Sequence, residues 1–444
     1  MLRPSWKERA GPLPDRLASE LRDAIVLGSL APGSLLPAER TLAAQAEVSR
    51  STVTAALDLL AGEGWIVRRT AARAVAALPV NERQPLEPSP IGSTGGVLDV
   101  RRALIAAPAA ELTVALDRAR ARLVPHLLSD GRLAGGVEEL RTAIAARFTA
   151  GGLSTDPGQV LVTNGSLGAL SAVIESTGGD VLVEEPTYHM ALRLLAGRRR
   201  RLVAWARTAR WDVEQFAGLQ RRHRPTLVYL VADFHNPTGR LASDGERAAL
   251  ARVVVPGGTV VVDETLRDLD LRPEGTALPL HLGAWIPNSI TIGSVSKTIW
   301  SGLRVGWLRA PDAVTASALA RATEVQPVPV LDQLVALELM PHVDTIAAVR
   351  RARLRDQRDD LMAMLEARGL EATVPDGGLS LWIDLGRPVA SRVTAIVAER
   401  GVLVMPGSEF AARGVFERHL RLPLTYPVAV AERVLDAIAA ARQA

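Results

Sequence analysis

Between residues 79 and 96 the chain reads PVNERQPLEPSPIGSTGG, with four prolines, three glycines and no apolar periodicity. Proline removes a backbone donor and glycine loses the most freedom on folding, so neither a helix nor a central strand runs through such a stretch. It predicts a linker, semi-stiff around the prolines and flexible at its glycine end. The chain is thereby divided into a small unit, 1–78, the linker, 79–96, and a large unit, 97–444. At about 150 residues per domain, 444 residues suffice for two or three domains and a substantial core.

Composition narrows the classes. Hydrophobic residues make up 48% and charged residues 23%, as in ordinary globular proteins. With no cysteine, disulfide scaffolds, thiolate zinc sites and cysteine nucleophiles are excluded. The seven histidines show no metal-ligand spacing, and no metal site is expected. Apolar runs such as 259–262 fall far short of the ~20 residues of a membrane span, and MLRPSWKERAG has no apolar signal region. The expectation is a cytoplasmic protein with no membrane partner. Of the 52 basic residues, only Lys7 and Lys297 are lysine, and the formal net charge is +4. Any nucleic-acid contact must come from a local patch rather than from bulk charge.

In the small unit, Leu13, Leu17, Leu21 and Ile25 recur every four residues and predict one apolar face of a helix over 13–29. Gly28, Pro32 and Gly33 end it. A short helix over 38–46 turns Leu42 and Ala46 inward. Ser49 then reads as the N-cap of a third helix with Val53, Ala56, Leu57 and Leu60 as its buried stripe, stopped by Gly62 and Gly64. Residues 65–69 and 74–77 read as two short strands around a tip. Three helices and a two-stranded wing predict a winged helix-turn-helix, whose third helix presents its first turn to a major groove. A small helical adaptor with a basic surface is the alternative.

The large unit alternates β-rich runs with helical stripes. Strands are predicted over 159–163, 180–184, 226–231, 259–263 and 289–292, giving an α/β fold with a mainly parallel or mixed sheet and a smaller subdomain over ~310–444. In such sheets ligands bind beyond the carboxyl ends of strands. There the sequence places Asn164-Gly165-Ser166-Leu167-Gly168, Glu185-Pro186-Thr187-Tyr188, His235-Asn236-Pro237-Thr238-Gly239, Asp263, and Ser294-Val295-Ser296-Lys297 followed by Gly302-Leu303-Arg304-Val305-Gly306. A glycine turn opening a helix offers N–H groups to a phosphate. Tyr188 is either core or a platform for a flat ring. Lys297 stands out in a chain that otherwise uses arginine. Lysine can shed its proton and form a Schiff base, and arginine cannot. The Arg350–Arg358 cluster, among Asp356, Asp359 and Asp360, reads as an exposed, salt-bridged helix face, and Arg198–Arg201 as a solvated helix end or loop.

The stretch GSLAPGSLLPAERTLAAQAEVSRSTVTAALDLLAGEGWIVRR, with its Leu36-Pro37-Ala38-Glu39-Arg40 and Ser49-Arg50-Ser51-Thr52-Val53 elements, resembles the GntR-type DNA-binding domain over ~11–78. The resemblance implies contacts to double-stranded DNA by Arg40, Arg50, Ser51 and Thr52, with Arg68, Arg69 and Arg73 in reach of phosphates. The wing tip, Arg69-Thr70-Ala71-Ala72-Arg73, lacks the glycines usual there.

The strand-end motifs of the large unit, in their order, resemble the aspartate-aminotransferase fold of fold-type I pyridoxal-phosphate enzymes, a large α/β sheet domain with a smaller C-terminal α/β subdomain. That resemblance implies pyridoxal 5'-phosphate held covalently by Lys297. Asp263 would pair with its pyridine nitrogen, Asn236 bond its ring hydroxyl, and Tyr188 stack on the ring. Gly165, Ser166, Leu167, Ser294, Ser296 and Arg304 would surround its phosphate. Arg421 would take a ligand carboxylate, and Gly377–Trp382 would line the ligand side. A GntR-like head on an aminotransferase-like body resembles the MocR type of bacterial transcription regulator. It implies a homodimer that senses an amino acid, an amine or the cofactor. Two positions depart from relatives that carry tyrosine: Thr265, two residues after Asp263, and the turn Gly131-Arg132-Leu133-Ala134-Gly135-Gly136. Losing a phenol beside the ring alters proton handling, so weak or no transamination is expected. The alternatives are an aminotransferase carrying a DNA-binding head and a cofactor-free regulator whose body serves as a dimerisation scaffold.

Overall fold

A computed structural model of the chain describes residues 6–7, 11–26, 30, 34–68, 73–77, 97–197, 200–207, 210–323, 327–412 and 414–443. The predicted linker, Gly28, Pro32 and Gly33, Arg69 with most of the wing tip, and Arg198 and Arg199 lie outside them.

In the small unit the helices are Leu13–Val26, Glu39–Ala46 and Arg50–Gly62, followed by an antiparallel hairpin of Ile66–Val67 and Val75–Ala76. Leu17, Leu21, Ile25, Leu42, Val53 and Leu60 share one core. The four-residue spacing puts Leu17, Leu21 and Ile25 on the inner face, whereas Leu13, at the first position of the helix, is exposed, contrary to expectation. Ser49 caps the third helix by accepting from the Thr52 N–H at 3.1 Å, and the chain leaves it through Gly64 at φ +79°.

The large unit is built on a seven-stranded sheet in the order Val160–Asn164, Val305–Arg309, Ile290–Ser294, Thr259–Asp263, Leu227–Leu230, Val181–Glu185 and Leu202–Ala206. Only Val305–Arg309 runs antiparallel to its neighbours. The five predicted strands are present within one or two residues at each end. Their near-continuous burial, as in Val181–Glu184, is that of a sheet covered on both faces. The other two strands carry weaker signals. Leu202–Ala206 is an edge strand with only alternate residues buried. Val305–Arg309 contains Gly306, where a Cβ would stand 2.4 Å from the Gly165 carbonyl carbon, so close packing against the glycine turn takes precedence over strand propensity.

The smaller subdomain is a four-stranded antiparallel sheet, Glu371–Ala372, Ser380–Asp384, His419–Pro423 and Met405–Pro406, packed with the helices Val343–Glu366, Ala390–Glu399 and Val428–Gln443. Its extent differs from the expected ~310–444. Helices Ala313–Thr323 and Val330–Leu339 pack on the large sheet through Ala316, Leu319, Leu334 and Leu339. Leu98–Asp99, just after the predicted linker, pairs in parallel with Val402–Leu403. The first residues of the large unit are thus anchored on the smaller subdomain.

Candidate functional site

Five strands of the large sheet end at residues 164, 185, 230, 263 and 294, and the candidate residues follow them directly. Asp263 is the last residue of its strand and is buried. It accepts from the Thr265 N–H at 2.9 Å and from the Tyr229 hydroxyl at 2.8 Å. Burial nonetheless pushes its carboxyl above the usual range. Such a carboxylate is suited to a cationic partner that replaces lost hydration, and a pyridinium N–H supplies one. Tyr229 was not singled out in the sequence. A tyrosine within the apolar run Leu227–Leu230 looks like core, and only its hydroxyl's distance from Asp263 gives it a role. Burial and Asp263 hold that phenol well above its ordinary value.

Lys297 lies in the turn Ser296–Trp300, directly after the Ile290–Ser294 strand. Its ammonium donates to the Ala103 carbonyl at 3.2 Å. Burial, then repulsion from Arg421, Arg102 and Arg304, pulls its pKa down to about 8. A neutral, nucleophilic amine is therefore accessible near neutrality. The turn is braced by Ser294, whose hydroxyl donates to the Val305 carbonyl at 2.9 Å and accepts from the Ser296 N–H at 3.1 Å. Ser294 thus spends its hydroxyl on the loop itself, while Ser166 and Ser296 are half-buried.

Gly165 opens the helix Gly165–Ser176 at φ +68°, a conformation glycine adopts without strain. Arg304 is exposed and donates to the Asn164 side chain at 3.3 Å. Tyr188 packs edge-on to His189. Burial, with Asp263 nearby, raises its phenol to about 12. Asn236 Oδ1 is buried without a partner among the described residues. This orphaned atom, the raised carboxyl of Asp263 and the depressed amine of Lys297 are the polar groups that a pyridoxal ring, hydroxyl and aldehyde require, and the residues fit the group.

Arg421, in the His419–Pro423 strand, is buried and donates to the Arg101 carbonyl at 2.6 Å, leaving Nε without a partner among the described residues. Burial lowers its pKa to about 10, so it remains a cation at neutral pH. Trp382 pairs with it across the strands and stacks on His419 at 5.0 Å. The preceding loop packs onto the large sheet, Gly377 N–H donating to the Gly239 carbonyl at 3.1 Å. Arg132 is exposed, 3.9 Å from Asp130, and takes no part in this cleft within one chain.

The Arg350–Arg358 cluster departs from the solvated face expected of it. Arg350 donates to the Ala106 carbonyl at 2.8 Å and to the carbonyls of Thr298 and Ile299, tying its helix to the lysine turn. Arg351 and Arg358 reach the carbonyls of Asp268 and Leu271. Of the three acids only Asp359 bonds an arginine of the cluster, Arg358. Arg200 is half-buried and bonds Thr177 and the Ile174 carbonyl, so it too is less solvated than expected.

On the small unit, Arg40, Arg50 and Ser51 are exposed and Thr52 is half-buried at the start of the third helix. The Ser51 and Thr52 hydroxyls each lie 2.8 Å from Ser49 Oγ, which fixes the first turn. Arg40 and Arg50 have no ion-pair partner among the described residues, whereas Arg68 is held by Asp58 at 2.5 Å and Glu39 at 3.4 Å. Arg68 is thus partly neutralised, while Arg73, also exposed, donates to the Leu36 carbonyl at 2.9 Å.

The fold and these two sites define a DNA-reading head on a pyridoxal-phosphate-type body. The sequence pattern of the class I and II aminotransferases matches residues 134–438, and that of the bacterial regulatory proteins of the gntR family matches residues 13–74. The chain belongs to the class I and II aminotransferase family and, with its GntR head, to the MocR type of GntR-family regulators. Among curated relatives, an uncharacterized HTH-type transcriptional regulator of Bacillus subtilis, YisV, is 27% identical over 94% of this chain and 92% of its own. A 2-aminoadipate transaminase of Thermus thermophilus is 31% identical over 62% of this chain and 72% of its own. Among solved structures, the alpha-aminoadipate aminotransferase of Thermus thermophilus, complexed with N-(5'-phosphopyridoxyl)-L-leucine, superposes with a TM-score of 0.71. It is 25% identical and covers 79% of this chain and 92% of that one. Pyridoxal phosphate is accordingly the expected cofactor.

Proposed function

We propose that the protein is a cytoplasmic, homodimeric transcription regulator that binds operator DNA through residues 1–78 and senses an amino acid, an amine or the cofactor through residues 97–444. The observation that carries this reading is the course of the chain just past the predicted linker. Arg101 gives its carbonyl to Arg421, Ala103 to Lys297, and Asp99 and Arg102 to the Tyr426 hydroxyl at 3.0 and 2.8 Å. A ligand carboxylate at Arg421, or capture of the lysine amine, competes with these bonds. The strap so released is the one that continues into the linker and the head. A coupling of about 1–3 kcal/mol between ligand and DNA sites is sufficient for regulation.

Pyridoxal phosphate, when bound, supplies an aldehyde that captures primary amines and a ring that withdraws electrons. The chain's own residues do the rest. Lys297 provides the amine, which its surroundings keep deprotonated above about pH 8. Asp263 holds a proton on the ring nitrogen, and Tyr229 and the Thr265 N–H hold Asp263 in place. Asn236 orients the ring hydroxyl, Tyr188 covers the ring, and Gly165–Leu167, Ser296 and Arg304 receive the phosphate. Arg421 binds a ligand carboxylate and Trp382 bounds its space. Thr265 leaves an alcohol where a phenol would assist proton transfer, so binding without sustained transamination is the expected behaviour.

The test is the affinity of the full chain for its operator, measured with and without pyridoxal phosphate and across a panel of amino acids and amines. The reading predicts a ligand-dependent change that Arg421→Ala removes for carboxylate ligands. DNA affinity indifferent to every ligand and to the cofactor would leave the body as a scaffold. Sustained amino transfer to a keto acid would favour the aminotransferase reading.

A further inference from the structure

The strap changes partners along its length. Leu98 and Val100 donate to the carbonyls of Gly401 and Leu403, and the carbonyls of Asp99, Arg101 and Arg102 accept from Tyr426 and Arg421. All of these partners belong to the smaller subdomain. From Ala103 onward the partners are others. The Ala103 carbonyl accepts from Lys297 at 3.2 Å, and the Ala106 carbonyl accepts from Arg350 at 2.8 Å. The first of these bonds is made by the amine that cofactor capture consumes. The second is independent of it.

The Arg350 guanidinium that holds Ala106 also donates to the carbonyls of Thr298 and Ile299, in the turn Ser296–Trp300. The last carbonyls of a helical turn find no partner inside it, and a basic side chain caps them well. Burial, with repulsion from Arg353, lowers the Arg350 pKa to about 10, so it remains a cation at neutral pH. Its helix, Val343–Glu366, enters the core beneath the large sheet through Val343 and Ile346 and the core of the smaller subdomain through Leu354, Leu361 and Leu365. Arg350 stands between those two stretches, where helix, strap and lysine turn meet. Other contacts brace the turn without reaching the strap. The Thr298 hydroxyl donates to Asp268 at 2.9 Å, and Arg147 bonds that carboxylate at 3.0 Å and Asp344 at 2.9 Å. Ser294 holds the Ser296 N–H. These bonds fix the turn on the large unit and leave its spacing from the strap to Arg350.

We infer that Arg350 is a positioning residue for cofactor capture: by joining the Ala106 carbonyl to those of Thr298 and Ile299, it clamps the strap to the lysine turn and so sets the Lys297 amine against the strap. The inference rests on the reading of Lys297 as the group that captures the cofactor. On capture the amine gives up the Ala103 carbonyl, while the clamp at Ala106 persists. Ala106 is then the fixed end of the segment that leads back to the linker and the head.

The experiment uses the full chain freed of cofactor. It reads, across pH, the rate at which pyridoxal phosphate becomes fixed by borohydride on the peptide containing residue 297. In wild type the rate should level off above about pH 8, where burial and the charges of Arg421, Arg102 and Arg304 place the amine. Arg350 is not among those charges, so a moved profile in its variants reports the strap rather than a lost charge. Arg350→Met keeps much of the stem, and Arg350→Lys keeps the charge, but a compact ammonium does not span three carbonyls as a planar guanidinium does. Loosening the strap hydrates the amine, so in both variants the plateau should move up by about one pH unit, slowing capture about 10-fold near neutrality. Amide exchange over residues 97–106 should quicken about 10-fold in both, with exchange over the strand Ser380–Asp384 unchanged. A wild-type profile in Arg350→Lys, or a moved profile with strap exchange as in wild type, overturns the role of Arg350 and leaves Lys297 as the capturing group. A wild type that fixes no cofactor on residue 297 overturns both.

Discussion

The two functional surfaces solve opposite electrostatic problems. On the head, Arg40 and Arg50 are exposed and without an ion-pair partner among the described residues, Arg40 on the second helix and Arg50 on the third, whose position is set by a local cap and an apolar stripe. In the body, Lys297, Asp263 and Arg421 are drawn from distant parts of the chain into a site where burial shifts every one of them. Exposed charges act through water and are screened by salt, whereas buried ones have altered proton affinities and are screened little. The head should therefore respond to ionic strength and the cleft to pH.

The sharpest separation of the two comes from Lys297→Ala. It should abolish covalent cofactor capture, read as loss of borohydride-stable label on the peptide containing residue 297, and leave the isolated interaction of the head with DNA phosphates intact. Label retained elsewhere in the variant would show that another group holds the cofactor. Next in size is Asp263→Asn, which removes the charge facing the ring nitrogen. A loss of roughly 2–5 kcal/mol in cofactor affinity is expected, as for one partner taken from a buried charged pair. An unchanged dissociation constant would remove Asp263 from the site.

The comparison also has a pH and a salt arm. The Lys297 amine titrates at about 8 rather than 10.5. Its charged form is disfavoured in the fold, so the cost to the fold is fully present below about pH 8 and falls away as pH rises from there to the ordinary lysine value of 10.5. Cofactor capture by the unloaded protein should accelerate between pH 7 and 9 and level off above. A rise continuing toward pH 10.5 would mean an ordinary solvated lysine. On the head, Arg50→Ala should cost about 1–3 kcal/mol of operator affinity and blur base preference. Raising the salt concentration should weaken DNA binding steeply, with little effect on the cofactor. A flat salt response would argue against phosphate contact.

How much of each region was legible follows from the range of its contacts. The head is written in short-range terms. Ser49, Val53, Ala56, Leu57 and Leu60 announce the third helix and its buried side within a dozen residues, and the structure agrees; the first helix departs from its reading only at Leu13, where it starts beyond the core. In the body, Lys297 and Asp263 were readable because strand ends mark sites and because lysine is rare in this chain. The strap was not. The bond from Arg421 to the Arg101 carbonyl spans 320 residues and that from Lys297 to Ala103 spans 194, and backbone carbonyls carry no side-chain signature. The same blindness misjudged Arg350, whose place on a charged helix suggested solvent while its partners are carbonyls in separate loops.

Tyr229 gives the smallest effect and the finest test of that distinction. In sequence it is one aromatic residue in a buried strand, and Tyr229→Phe preserves that packing. What it removes is one hydrogen bond to Asp263. That bond favours the ionised carboxylate against the burial that opposes it, so its loss should raise the Asp263 pKa further. Asp263 is lost as a cation partner when pH falls through its pKa. The acid limb of cofactor binding should therefore move to higher pH, with affinity near neutrality falling by about 0.5–1.5 kcal/mol. A purely structural tyrosine would lower thermal stability without moving the acid limb. If the limb stays in place while Asp263→Asn abolishes it, Asp263 is held by Thr265 without help from Tyr229, which belongs to the core after all.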